Sequence, residues 1–120
     1  MSIKVELGDV RAVAAEQAPF AYLLTVSDDA SAHAVAITPN IGTEAITCAA
    51  GNRSCANARE RANVSLLWPP ATPEDYSLIV DGRAVVDGST VTITPVRAVR
   101  HRPAPGGGSD CAPVVVKSEE

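Results

Sequence analysis

The alternation of apolar and polar positions along this chain is mostly that of β-strands. "FAYLLTVS" (20–27) reads as a strand ended by the turn "DDAS". "AHAVAITP" (32–39) follows, with Val35 and Ile37 on one face and the small Ala34 and Ala36 on the other. These two runs form a predicted hairpin. "NIGT" is a turn, and "EAITCAA" (44–50) a third strand. "NVSLLWPP" (63–70) is a fourth, stopped by Pro69 and Pro70. After the loop "ATPED", "YSLIVDGRAVVD" (76–87) is a long strand, and its central Asp81-Gly82 marks a bend or a bulge. "GS" turns the chain into "TVTITPVRAVRHR" (90–102), the last strand, with a break expected near Pro95.

Two stretches have helical period instead. Gly8 to Ala18 places Val10, Val13, Ala14 and Gln17 along one side, with Asp9 as a cap and Pro19 as the stop. "RSCANARERA" (53–62) is the second, with Asn52 as its expected N-cap and Arg59 and Arg61 near the end, where positive charge suits the helix dipole. The order is helix, three strands, helix, three strands. Its short connections leave little room for parallel crossovers. The expected fold is therefore mainly β: a small six-stranded antiparallel barrel with two short helices, spanning residues 1–103. Residues 104–120 are rich in Gly and Pro and read as a C-terminal tail, in which "APVVV" is an alternative edge strand.

Composition narrows the function. Of 120 residues, 46% are hydrophobic and 20% charged, which is globular. Phe20, Tyr22, Trp68 and Tyr76 are the aromatic residues, so the core must be built from Val, Ile, Leu and Ala. That is a thin core, and association with a second copy would bury more surface. The net charge of −4, without a basic block, argues against nucleic-acid binding. "MSIKVELGDV" lacks the apolar stretch of a signal peptide, and no run approaches a membrane span. Cys48, Cys55 and Cys111 show no pairing pattern, which suits a reduced, cytoplasmic protein. No CxxC or His/Cys cluster offers a metal site, and no nucleophile–base pair is evident.

The chemistry therefore centres on "AAGNRSCANARERANVSLLWPP" (49–70). A small glycine, backbone N–H groups at a helix start and a guanidinium together suit a phosphate; the same residues also make an ordinary capped helix with a solvated arginine. Four segments in order carry a resemblance: "AYLLTVSDDASAHAVAI", the stretch just quoted, "YSLIVDGRAVV" and "VTITPVRAVRHRP". Together, over residues 19–103, they resemble the FMN-binding split-barrel family, related to pyridoxamine 5′-phosphate oxidases.

The resemblance implies a homodimer with a flavin at the subunit interface. It implies cofactor binding by Gly51, Asn52, Arg53 and Ser54 at the helix start, with Asn57 one turn on. Arg53 takes the place of the family's phosphate-binding arginine; Ser54 stands where a lysine is often found. It further implies contacts from His33 and Thr38 on the second strand of the hairpin, and from Ser77 of the second subunit. Small Ala34 and Ala36 would let a flat ring approach. Trp68 is expected in the core or dimer interface, and Arg100-His101-Arg102 as a solvated strand end. The resemblance does not extend to the C-terminal segment through which the oxidase itself holds substrate phosphate, so that activity is not expected. The implied function is an FMN-dependent oxidoreductase acting on another small redox substrate. A deazaflavin (coenzyme F-420) reductase, or a cofactor-free binding or structural protein, are the alternatives. Flavin chemistry needs no catalytic triad, because the cofactor carries the reaction.

Overall fold

In a computed structural model, which describes residues 1–104, these segments form one curled antiparallel sheet with two helices. The strands are β1 (Ser2–Val5), β2 (Ala21–Val26), β3 (Ala32–Ile37), β4 (Asn40–Ile41), β5 (Ile46–Ala49), β6 (Asn63–Trp68), β7 (Ser77–Asp87) and β8 (Thr90–His101). The helices are α1 (Val10–Ala14), entered through a 3-10 turn at Leu7–Asp9, and α2 (Asn52–Glu60). The sheet runs β3-β2-β6-β7-β8-β5-β4, and β1 also pairs with β8. The antiparallel split-barrel form expected from the sequence is present, with β1 and β4 added to the six expected strands. The 104–120 tail, its "APVVV" and Cys111 lie outside the described residues, Ala104 apart.

Alternation builds the core. Leu23, Leu66, Leu78, Val80, Val91 and Ile93 all point inward and are fully buried. Trp68 joins them at 3% exposure, so it is a core residue. Two-residue turn chemistry closes the β7–β8 hairpin: Asp87 pairs with Thr90, and Gly88 takes φ +63° at the first turn position.

The Asp81-Gly82 signal is a bulge. Asp81 pairs with Arg97 but Gly82 pairs with Pro95, so Val96 is the extra residue and stands 62% exposed. Pro95 does not break β8. It sits at the irregularity, where a missing N–H costs least.

The first helix is shorter than its pattern. It ends at Ala14 because Gln17 is drawn to another partner set: its Nε2 donates to the carbonyls of Trp68 (3.3 Å), Pro69 (3.2 Å) and Tyr76 (2.9 Å). Asp9 makes no side-chain cap bond. The "NI" of the expected turn is instead β4, held by pairing of Asn40 with Thr47 and Ile41 with Ile46.

Candidate functional site

Helix α2 lies between two hairpin turns, and its residues are tied to both. At the β7–β8 turn, Arg59 Nη2 donates to the Gly88 carbonyl (3.0 Å) and the Ala50 amide to that of Ser89 (3.0 Å). At the β2–β3 turn, Arg61 donates from Nε to the Val26 carbonyl (2.7 Å) and from Nη2 to Asp28 Oδ1 (2.6 Å). The buried Asn57 amide donates to Thr25 Oγ1 (3.0 Å) and Ser27 Oγ (3.2 Å). Such charge-assisted and buried bonds fix the helix relative to the turn.

The helix start differs from the expected cap. Gly51, extended at φ −77° and ψ 176°, is the N-cap, and Asn52 is the first helical residue; no side chain caps the helix. A cap without a side-chain acceptor leaves the first-turn N–H groups open. Gly51, Asn52 and Arg53 are exposed, whereas Ser54 is 1% exposed and points into the interior. Cys55 is buried beside it, its Sγ directed at the Ala50 carbonyl (3.6 Å). Cys48 is also buried; burial, with Cys55 nearby, pushes its thiol pKa up.

Arg53 and Asn57 share a shallow polar notch of about 320 Å³ with Ser27, Asp28, Asp29 and Ser31. The sequence read "DDAS" only as a turn. Folding brings its two carboxylates to the candidate phosphate seat although Asp29 and Arg53 are far apart in the chain, and no local pattern signals this. The Asp29 carboxyl accepts hydrogen bonds from the Ser31 hydroxyl and, at 3.1 Å, from its amide. These bonds, with a smaller contribution from the Arg53 charge, hold its pKa below the ordinary carboxylate value.

Arg53 itself makes no hydrogen bond or ion pair among the described residues, a condition it shares only with Arg100 among the arginines. Arg100 lies with its guanidinium 5.5 Å from the Tyr76 ring centroid, and its buried Nε has no partner among the described residues. Arg102 stacks on the same ring at 4.5 Å. His101 Nδ1 is 3.0 Å from Ser2 Oγ. The strand end expected to be solvated is thus partly organised around Tyr76.

The remaining predicted site residues divide by position. His33, half-buried, stands opposite Thr25 on the inward face of β3, one pair from the Asn57 bonds. Thr38 follows the far end of β3, beyond the Ala21–Ile37 pair, and Ser77 begins β7 opposite His101. Registers through Tyr22–Leu67 and Trp68–Leu78 place Thr38 and Ser77 at the sheet end away from the notch. The single chain therefore gathers Arg53 and Asn57, with His33 close by, but not Thr38 or Ser77. Ala34 and Ala36 are exposed on the opposite face from His33, beside Leu24 and Tyr22. Among the described residues, no group of three His, Cys, Asp or Glu could hold a metal, and no helix is long and apolar enough to cross a membrane.

This architecture recurs in solved structures. A Syntrophomonas wolfei FMN-binding protein matches with TM-score 0.65 and 15% identity, over 82% of this chain and 88% of that one. A Mycobacterium smegmatis FAD-binding protein matches at 0.62 and 18%, over 85% and 100%. A Listeria innocua protein named as a candidate pyridoxamine 5′-phosphate oxidase matches at 0.60 and 21%, over 79% and 97%. An F-420 reductase matches at 0.58 and 13%, over 69% and 90%. The fold is a split barrel similar to that of pyridoxamine 5′-phosphate oxidase-like proteins. No protein-family model matches it. Uncharacterised proteins of Mycobacterium bovis and Mycobacterium tuberculosis are each 40% identical to it, over 72% of either length, and the chain belongs to their family.

Proposed function

We propose that the protein binds a flavin-type cofactor and uses it for oxidoreductase chemistry on a small redox substrate. FMN is the first candidate and coenzyme F-420 the second. The observation that carries this is the unpartnered Arg53 guanidinium at an open helix start, in a fold whose neighbours include FMN-, FAD- and F-420-named proteins. Arg53 would hold the cofactor's phosphate, supported by the first-turn N–H groups next to Gly51 and Asn52. His33 would flank the bound cofactor. Asn57 would act by holding β2 and the turn in place. The burial of Ser54, in place of a second cation, keeps the F-420 reading alongside FMN.

The ring chemistry, hydride transfer, belongs to the cofactor; this chain supplies position and shielding from water. A homodimer is part of the same proposal. Thr38 and Ser77 would then reach a cofactor seated in the partner's notch. Two features support it. Strand β3 is a sheet edge, "AHAVAI", with no Lys, Glu or Pro to blunt it. Beside it lie exposed Ala34, Ala36 and Tyr22, with Phe20 packed edge-on to Tyr22 at 5.4 Å. Cytoplasmic residence follows from the same reading, with free Cys48 and Cys55.

The test is the absorption spectrum of the purified protein, followed by FMN and F-420 titration of wild type and Arg53→Ala. Loss of a charge-assisted phosphate contact weakens binding by about tenfold or more. Equal binding by the two forms removes Arg53 from the site. No binding of either cofactor leaves the cofactor-free alternative.

A further inference from the structure

The charges around Arg53 set what kind of tail the notch accepts. Three charged side chains line it, Arg53, Asp28 and Asp29, and Arg61 adjoins it through Asp28. Asp28 and Arg61 cancel one another through their 2.6 Å ion pair, and Arg61 is further committed to the Val26 carbonyl. Arg53 and Asp29 remain. Asp29 has no ion-pair partner among the described residues; its carboxyl is held in place by Ser31 and lines the same notch as Arg53. A second cation is absent because Ser54 occupies that position and is buried. The seat is therefore neutral overall. A phosphate monoester carries nearly two negative charges at neutral pH, whereas a phosphodiester carries one per phosphorus.

We propose that Asp29 is a specificity-determining residue that offsets Arg53, so that the notch gives the dianionic phosphate of FMN little more affinity than the uncharged tail of riboflavin. This rests on the flavin-type reading above and sharpens it. Asp29 acts through repulsion of the second phosphate charge, the repulsive half of a specificity device. Being exposed, it works in a water-like dielectric, so its effect is modest and screened by salt.

The experiment titrates riboflavin, FMN and F-420 into wild type and Asp29→Asn at low and at physiological ionic strength, by fluorescence or calorimetry. Asparagine keeps a side-chain oxygen for Ser31, and an unchanged thermal midpoint confirms that the turn survives. In wild type, FMN is expected to bind within about threefold of riboflavin, because Arg53 and Asp29 nearly cancel. In Asp29→Asn, FMN should bind about five- to tenfold more tightly at low salt, with riboflavin unchanged and a smaller gain at higher salt. Wild type that prefers FMN over riboflavin by more than about tenfold, or an Asp29→Asn variant with unaltered FMN affinity, overturns the proposal while leaving the flavin reading intact. Failure of both forms to bind any of the three ligands overturns both.

Discussion

Gly82→Ala is a direct probe of the bulge that shapes the long hairpin. A methyl group at this position would lie 2.6 Å from Ile93 Cγ2, 2.6 Å from the Thr94 carbonyl oxygen and 3.2 Å from the Thr94 carbonyl carbon. Ile93 is fully buried, and the Thr94 carbonyl belongs to the β7–β8 ladder, so neither contact is relieved by a flexible side chain. Overpacking of this kind costs about 1–3 kcal/mol, and a backbone clash puts it at the upper end. Replacing glycine by alanine also stiffens the unfolded chain, which returns about 0.4–1 kcal/mol. The net expectation is a loss of about 2 kcal/mol, or a fall of about 10 °C in Tm for a domain of this size. Urea unfolding followed by Trp68 fluorescence, with thermal unfolding by circular dichroism, measures it; Trp68 is the sole tryptophan and is buried. Gly51→Ala is the control, since nothing lies within 4 Å of its added methyl and its φ is ordinary. A Gly82→Ala midpoint within about 2 °C of wild type would refute the clash and the bulge geometry with it.

Asn57→Ala removes two side-chain bonds from a buried site and leaves Thr25 Oγ1 without its donor. A destabilisation of about 2 kcal/mol by urea titration is expected, together with faster amide exchange in the Ser27–Ser31 turn; unchanged exchange there would show that Asn57 does not hold it. The raised Cys48 pKa gives a pH signature. The unfolded thiol ionises first, so this contribution to stability is intact below about pH 8.5 and falls as pH climbs toward the raised native value. Native Cys48 should also react with thiol reagents far more slowly than in urea; equal rates would contradict its burial.

Much of the fold was legible because its information is local. The β2–β3 hairpin, the Asp81-Gly82 irregularity and the body of α2 follow from alternation, turn residues and helical spacing. What escaped depends on partners distant in sequence. Ser2–Val5 is a strand because Ser2 pairs with His101 and Val5 with Ala98, a relation no window near the N-terminus contains. The first helix stops early because Gln17 answers to carbonyls at 68, 69 and 76. The candidate site shows the same split. Arg53 stood out from its turn, but Asp28 and Asp29 became part of its surroundings only when β2 carried them to α2. Ser54, expected among the cofactor contacts, is turned inward because the helix face that carries Cys55 and Ala58 packs on the core.

The placement of β8 has a consequence for how the chain acquires its structure during synthesis. Three strands depend on it: β7 along its whole length, β5 at its start and β1 at its end. The β3-β2-β6 meander can pair as it emerges, and β7 can extend it. Strands β1, β4 and β5, although made early, have no place in the sheet until residues 90–101 have left the ribosome. The β1–β8 clasp joins residues at nearly opposite ends of the domain, the greatest sequence separation in the sheet and so the largest loop-closure cost. Until β8 emerges, β7 presents an open edge, so the twelve residues of β8 supply at one stroke the pairing that β1, β5 and β7 each require.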